Sequence, residues 1–139
     1  MFALKPIRVC HLASGDLWAG AEAQIATLLR ALKADQRFDL SAIVLNKGRL
    51  AEELAVAGIS VTVYDESVGT WTTLRSLASH LNLHRPDIVH SHRYKEHIFG
   101  AFAAKLSHNS RVVQTYHGLE EHLHGWAAMK MSAYTTLNT

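Results

Sequence analysis

Of the 139 residues only one is cysteine, Cys10, which excludes a disulfide framework and any multi-thiolate metal site held within one chain. Two prolines and eight scattered glycines leave no linker-like stretch to divide the chain, and no period in the repeat-protein range is visible. Excess charge of one sign is missing as well. Fourteen Lys plus Arg face twelve Asp plus Glu, a formal +2, with no basic block to track a phosphodiester backbone, so nucleic acid is not an expected partner. Apolar runs are only a few residues long, and the N-terminus lacks the charged, apolar and small-residue zones of an export signal, so a cytoplasmic protein is expected. What is present is 48% hydrophobic content, enough for one domain core, and ten histidines.

Short apolar runs alternate with helically spaced ones. Ile7 to Ala13, bounded by Pro6 and Ser14-Gly15, reads as a strand buried on both faces. From Ala21 the positions Ala21, Ile25, Leu28, Leu29 and Leu32 recur at helical spacing and stop near Asp35. Leu40 to Leu45 reads as a second strand, Leu50 to Ala57 as a short helix closed by Gly58, and Ile59 to Tyr64 as a third strand. A helix with Trp71, Leu74, Leu77, Ala78 and Leu81 on one face follows, and the stripe assigns Trp71 to the core. Pro86 ends that region, Asp87 to His90 enters a fourth strand, helix Glu96 to Leu106 precedes strand Arg111 to Thr115, and a last helical segment starts near Glu120. The alternation predicts an α/β, Rossmann-like, doubly wound and mostly parallel sheet with helices on both faces, as a single domain over residues 1–139. The final residues carry no Gly, Pro or basic cap, so we expect the natural protein to continue past Thr139.

In such sheets ligands collect beyond the C-terminal strand ends, which brings together the loops Ser14 to Gly20, Ser91 to Lys95 and Tyr116 to Glu121. Gly15 and Gly20 flank a loop that leads into a helix N-terminus, where backbone N–H groups can meet an anion. The Walker pattern fails because Ala21 and Glu22 stand where Lys and Ser or Thr belong, and the dinucleotide fingerprint fails for want of its second glycine and ribose-binding acid. The plain alternative is that Gly20 relieves crowding and Glu22 complements the helix dipole. His90 and His92 project to one side of a strand end and could form two arms of a metal site. With no carboxylate at recognisable spacing, we read them as packing and hydrogen-bonding residues and assign no metal. His117 is better placed, since its imidazole would point into the crevice while Gly118 lets backbone approach a ligand. Trp18, inside the glycine loop, has a better claim on a ligand than Trp71 or Trp126, and His122 and His124 receive no role.

Taken together, Ala19-Gly20-Ala21-Glu22, Arg85-Pro86-Asp87-Ile88-Val89-His90-Ser91-His92 and Thr115-Tyr116-His117-Gly118 resemble the N-terminal half of a family 4 (group 1) retaining glycosyltransferase of the GT-B fold. The resemblance runs from about Ile7 to the end of the chain. It implies two Rossmann-like domains facing across a cleft, with this one on the acceptor side and a C-terminal, donor-binding domain outside this chain. The activity implied is transfer of a sugar, with retention, from a nucleotide-diphosphate sugar to a glycan, lipid-linked or small-molecule acceptor. Carried over residue by residue, His117 is the catalytic residue beside the anomeric centre. Gly15, Trp18, Ala19, Gly20, Glu22, His92 and Gly118 contact donor or acceptor. The nucleotide-sugar is a co-substrate, no other cofactor and no metal is implied, and the fragment alone is expected to be inactive. Relatives that work on lipid-linked glycans extend the expectation to cell-envelope glycan biosynthesis and to peripheral contact with the inner face of the membrane. One departure is plain: the family's usual Gly-Gly pair is Ala19-Gly20 here.

Two other readings compete. One is a stand-alone α/β module that binds a phosphorylated or acidic small molecule at the Gly15 to Gly20 loop. The other is a metal hydrolase built on His90, His92 and His117.

Overall fold

The structure, a computed structural model, describes residues 4–108 and 110–117. Five strands, β1 (Ile7–Ser14), β2 (Phe38–Leu45), β3 (Ser60–Tyr64), β4 (Ile88–His92) and β5 (Arg111–Thr115), form one parallel sheet in the order β3-β2-β1-β4-β5. Between them lie α1 (Gly20–Lys33), α2 (Arg49–Val56), α3 (Thr70–His84) and α4 (Tyr94–Leu106). The order reverses between β1 and β4, which makes their C-terminal ends the switch point where doubly wound sheets take ligands. The last expected helix, from Glu120, lies outside the described residues, as do Gly118, His122, His124 and Trp126.

Strand alternation sends successive side chains to opposite faces, and two cores follow. Cys10, Leu12, Ile43, Leu45 and Val89 pack with Leu74, Leu77 and Leu81 of α3 and Ala103 and Ala104 of α4. Ala13, Ala42 and Val44 pack with Ile25, Ala26 and Leu29 of α1 and Leu50 and Leu54 of α2. The expected helices on both faces are therefore present. Burial pushes the Cys10 thiol up to about 11, so it stays protonated and apolar in character. Among the described residues no helix is long and apolar enough to cross a membrane.

The Arg85-Pro86-Asp87 segment is structural. Arg85 ends α3 in a left-handed conformation, φ 47°, with its N–H on Leu81 O at 2.8 Å, and the following proline cannot continue the helix. Asp87 accepts the Arg8 backbone N–H at 2.8 Å and pairs with its guanidinium, tying the start of β4 to β1 at the end of the sheet remote from the switch point.

Two expectations from periodicity need correction. Trp71, in the first turn of α3, is 80% exposed and not core; it lines a surface groove with Leu74, Ala78 and Leu106. In α1 the buried stripe is Glu22, Ile25, Ala26 and Leu29, whereas Leu28 is exposed. The helix is rotated by about one position from the apolar reading because the Glu22 carboxylate is accepted inside.

Candidate functional site

The first two expected loops meet, and of the third the described residues Tyr116 and His117 reach the same end of the sheet. Their geometry starts with Glu22, which is 1% exposed. Its Oε2 accepts the Ala19 N–H at 3.0 Å, half of a capping box, since Ala19 has no side-chain acceptor to return. Its Oε1 lies 2.7 Å from Arg93 Nη2. Arg93 begins α4 at φ 75°, in the left-handed region for a residue with a Cβ. That backbone is held from both sides: its N–H reaches Thr115 O at 3.2 Å and its carbonyl accepts Gln114 Nε2 at 3.2 Å. A conformation so fixed, at a cost of about 1–3 kcal/mol, sends the guanidinium across the switch point to α1.

The glycines divide into two kinds. A Cβ on Gly15 would lie 2.6 Å from Asn46 O and from Val44 Cγ1, and one on Gly48 would lie 1.7 Å from Gly15 O. Gly15 thus serves the close approach of the β1 and β2 ends. Gly20 is different, because a Cβ there meets nothing within 4 Å and no positive φ requires glycine. The crowding explanation for Gly20 fails. Ala19 and Gly20 stand exposed at the first turn of α1, whose leading N–H groups have no side-chain cap. Trp18 is half-buried against the α1–α2 core, and the Arg49 guanidinium covers its ring at 4.4 Å from the centroid.

The histidines form a row. Gln24 Oε1 of α1 is 3.0 Å from His117 Nδ1, His117 Nε2 is 3.0 Å from His92 Nδ1, and His92 Nε2 is 3.0 Å from His11 Nδ1. With Gln24 Oε1 as acceptor, each ring donates from Nδ1 and accepts at Nε2, and every imidazole is neutral. The row ends at His11 Nε2, buried and without a hydrogen-bond partner among the described residues. His90, opposite His11 in the β1–β4 register, holds Thr115 Oγ1 at 2.8 Å and stacks on His92. Burial, reinforced by neighbouring imidazoles, lowers His11 to about 3 and His92 to about 2. Burial also lowers His90 and His117, and the nearby Arg93 charge adds to the effect at His117.

His11, His90 and His92 bring ligand atoms within 4.8 Å of one another, a spacing that can hold a metal. Their present bonds compete with it. His11 and His92 share a hydrogen bond and His90 is engaged by Thr115, so an ion would have to displace both. Between the β1–α1 and β4–α4 loops lies a pocket of about 270 Å³ lined by Ser14, Asp16, Glu22, Arg93, Lys95 and Glu96, among others.

Sequence reasoning found Glu22, His92 and His117 but missed four others. His11 was hidden in an apolar run, although a polar residue facing His90 is what strand pairing of β1 with β4 makes visible. Arg93, Gln24 and Glu96 carry no local signal, because each gains its role from a partner distant in sequence.

HepE of Anabaena, solved with UDP and glucose, superposes with a TM-score of 0.72 at 15% identity over 94% of this chain and 35% of its own. The lipopolysaccharide outer core galactosyltransferase WaaB, in apo form, gives 0.71 at 11% identity over 91% of this chain and 37% of its own. MurG of Acinetobacter baumannii gives 0.65 at 17% identity over 92% and 39%. At these identities the likeness shows the shared fold, and the chain spans little more than a third of each structure. No curated protein sequence matches. The model of Glycosyltransferase Family 4 matches residues 18–137, and the chain belongs to that family.

Proposed function

We propose that this chain is the N-terminal, acceptor-side domain of a GT-B enzyme that moves a sugar, with retention, from a nucleotide-sugar to a glycan, lipid-linked or small-molecule acceptor. The observation that carries the reading is the contact between His117 and Gln24, which brings the imidazole to the helix whose N-terminus is Ala19-Gly20. One small molecule can touch both. Departure of a nucleoside diphosphate builds positive charge on the sugar and negative charge on phosphate. Uncapped N–H groups at the start of α1 suit the phosphate, and Gly20, which no contact among the described residues requires, lets it approach the backbone closely.

Both ring nitrogens of His117 are occupied, Nε2 by buried His92 and Nδ1 by exposed Gln24. A sugar hydroxyl therefore replaces Gln24 at Nδ1, while His92 keeps the ring oriented. His117 acts as a hydrogen-bonding residue beside the anomeric centre and not as a nucleophile, and no metal is required. Most of the donor is held by a second domain, so the isolated chain turns over little or no nucleotide-sugar.

The test is a transfer assay with UDP- and GDP-sugars on the enzyme that contains both domains. His117→Ala lowers kcat by about 100-fold or more with the fold intact. Unchanged turnover in that variant, or turnover by the isolated chain at the rate of the whole enzyme, refutes the reading. The competing module for phosphorylated or acidic ligands would use the same helix N-terminus, and transfer by the two-domain enzyme separates the two readings.

A further inference from the structure

We propose that the 270 Å³ pocket between the β1–α1 and β4–α4 loops is a subsite for an ammonium group carried on a sugar, and that it rejects phosphate. The inference rests on the reading that acceptors gather at this end of the sheet and names what one of them carries.

Glu96 supplies the first argument. It stands in the opening turn of α4, is 1% exposed and lines the pocket. Its Oε1 accepts the Ser14 hydroxyl, but Oε2 has no hydrogen-bond partner among the described residues. A buried carboxylate oxygen left without a donor is costly, and a ligand N–H or O–H removes that cost.

The second argument is charge. Three acids, Asp16, Glu22 and Glu96, line the pocket with two cations, Arg93 and Lys95. Both cations are engaged. Arg93 is 2.7 Å from Glu22, and Lys95 Nζ is 2.8 Å from Glu66 Oε2 while 3.7 Å from Glu96 Oε1. Among the described residues Asp16 accepts the Asn46 amide at 3.2 Å and acts on Lys95 through its charge. A phosphate at Arg93 competes with the buried Glu22 carboxylate for the guanidinium and meets Asp16 and Glu96 as like charges. An ammonium meets the opposite situation, since it supplies the donor Glu96 Oε2 lacks and faces the net negative wall. The volume is that of a single sugar ring and its substituents rather than of a nucleotide.

The experiment follows backbone amide resonances of the 139-residue chain during titration with glucosamine, N-acetylglucosamine, glucose 6-phosphate and UDP. Glucosamine is expected to shift Ser14, Lys95 and Glu96 and to saturate at roughly tenfold lower concentration than the other two sugars. Glu96→Gln, which keeps the Ser14 hydrogen bond, is expected to abolish that preference with an unchanged melting temperature. The comparison of glucosamine with N-acetylglucosamine on the wild-type chain stands even if the variant does not fold. Glucose 6-phosphate binding as tightly as glucosamine, or glucosamine shifts that persist undiminished in a folded Glu96→Gln chain, overturns the proposal. UDP shifts at Ala19, Gly20 and His117 with no glucosamine response overturn this inference and leave the transferase reading standing; silence from all four ligands overturns this inference, while the reading itself stands or falls by transfer in the two-domain enzyme.

Discussion

One face of this sheet is built in two ways. Under α1 and α2, the inward positions of β1 and β2 are Ala13, Ala42 and Val44, packed against Ile25, Leu29, Leu50 and Leu54. From β1 toward β5 the inward positions become His11, His90, His92 and Thr115, joined by hydrogen bonds and ring stacking. The apolar half derives its stability from burial, which is non-directional and indifferent to pH. The imidazole half spends burial on polar groups that must stay neutral and paired, which is a poor way to stabilise a core and a good way to fix His117 in one orientation at the crevice.

The largest break in that comparison comes from pH. Folding holds His11 and His92 far below the ordinary histidine range of about 6.5. The unfolded chain therefore binds protons first, so stability is complete above about pH 6.5 and falls as pH drops below it. The loss is about 1.4 kcal/mol per pH unit for each of the two rings, or roughly 5 kcal/mol by pH 4.5. Exposed carboxylates whose pKa is lowered by partners, such as Asp87 beside Arg8, act mainly at lower pH, whereas His80 of α3, lowered by burial to about 4, adds to the same window. Urea unfolding between pH 7 and 4.5 reads the slope; a flat profile contradicts the burial of neutral imidazoles.

Next in size is Leu29→Ala in the fully buried apolar half, expected to cost about 3 kcal/mol at every pH. His92→Leu costs less at pH 7, about 1–3 kcal/mol from the hydrogen bonds lost at His11 and His117. It should nevertheless reduce the acid sensitivity by about a third, His11 and His80 keeping theirs. If the two variants show the same pH slope, the division of the face is wrong. The smallest stability effect belongs to Gly20→Ala, within about 0.5 kcal/mol of wild type because the added methyl meets open space. In the two-domain enzyme the same change should weaken nucleotide-sugar binding severalfold. Melting temperature and KM, measured together, check that separation.

The alternation of strands and helices was legible because each element carries its own period, and the meeting of three loops at one end followed from the parallel sheet alone. His117 was legible for the same reason, as a polar residue just past a strand end. What escaped was non-local. Glu22 turned the α1 stripe inward because Arg93, from the β4–α4 connection, pairs with it inside, and no window along α1 contains that arginine. Trp71 shares the phase of a buried stripe but sits in the first turn of α3 and is 80% exposed. His11 was hidden because an apolar run reveals which residues are buried and not which neighbour a strand will have.

The central claim is that Ala19-Gly20 and His117 belong to one ligand-binding crevice. Amide resonances of the chain titrated with UDP test it most directly. The expected result is saturable shifts at Ala19, Gly20 and His117 with the Trp71 groove unmoved; shifts confined to that groove, or at only one of the two crevice elements, would contradict it.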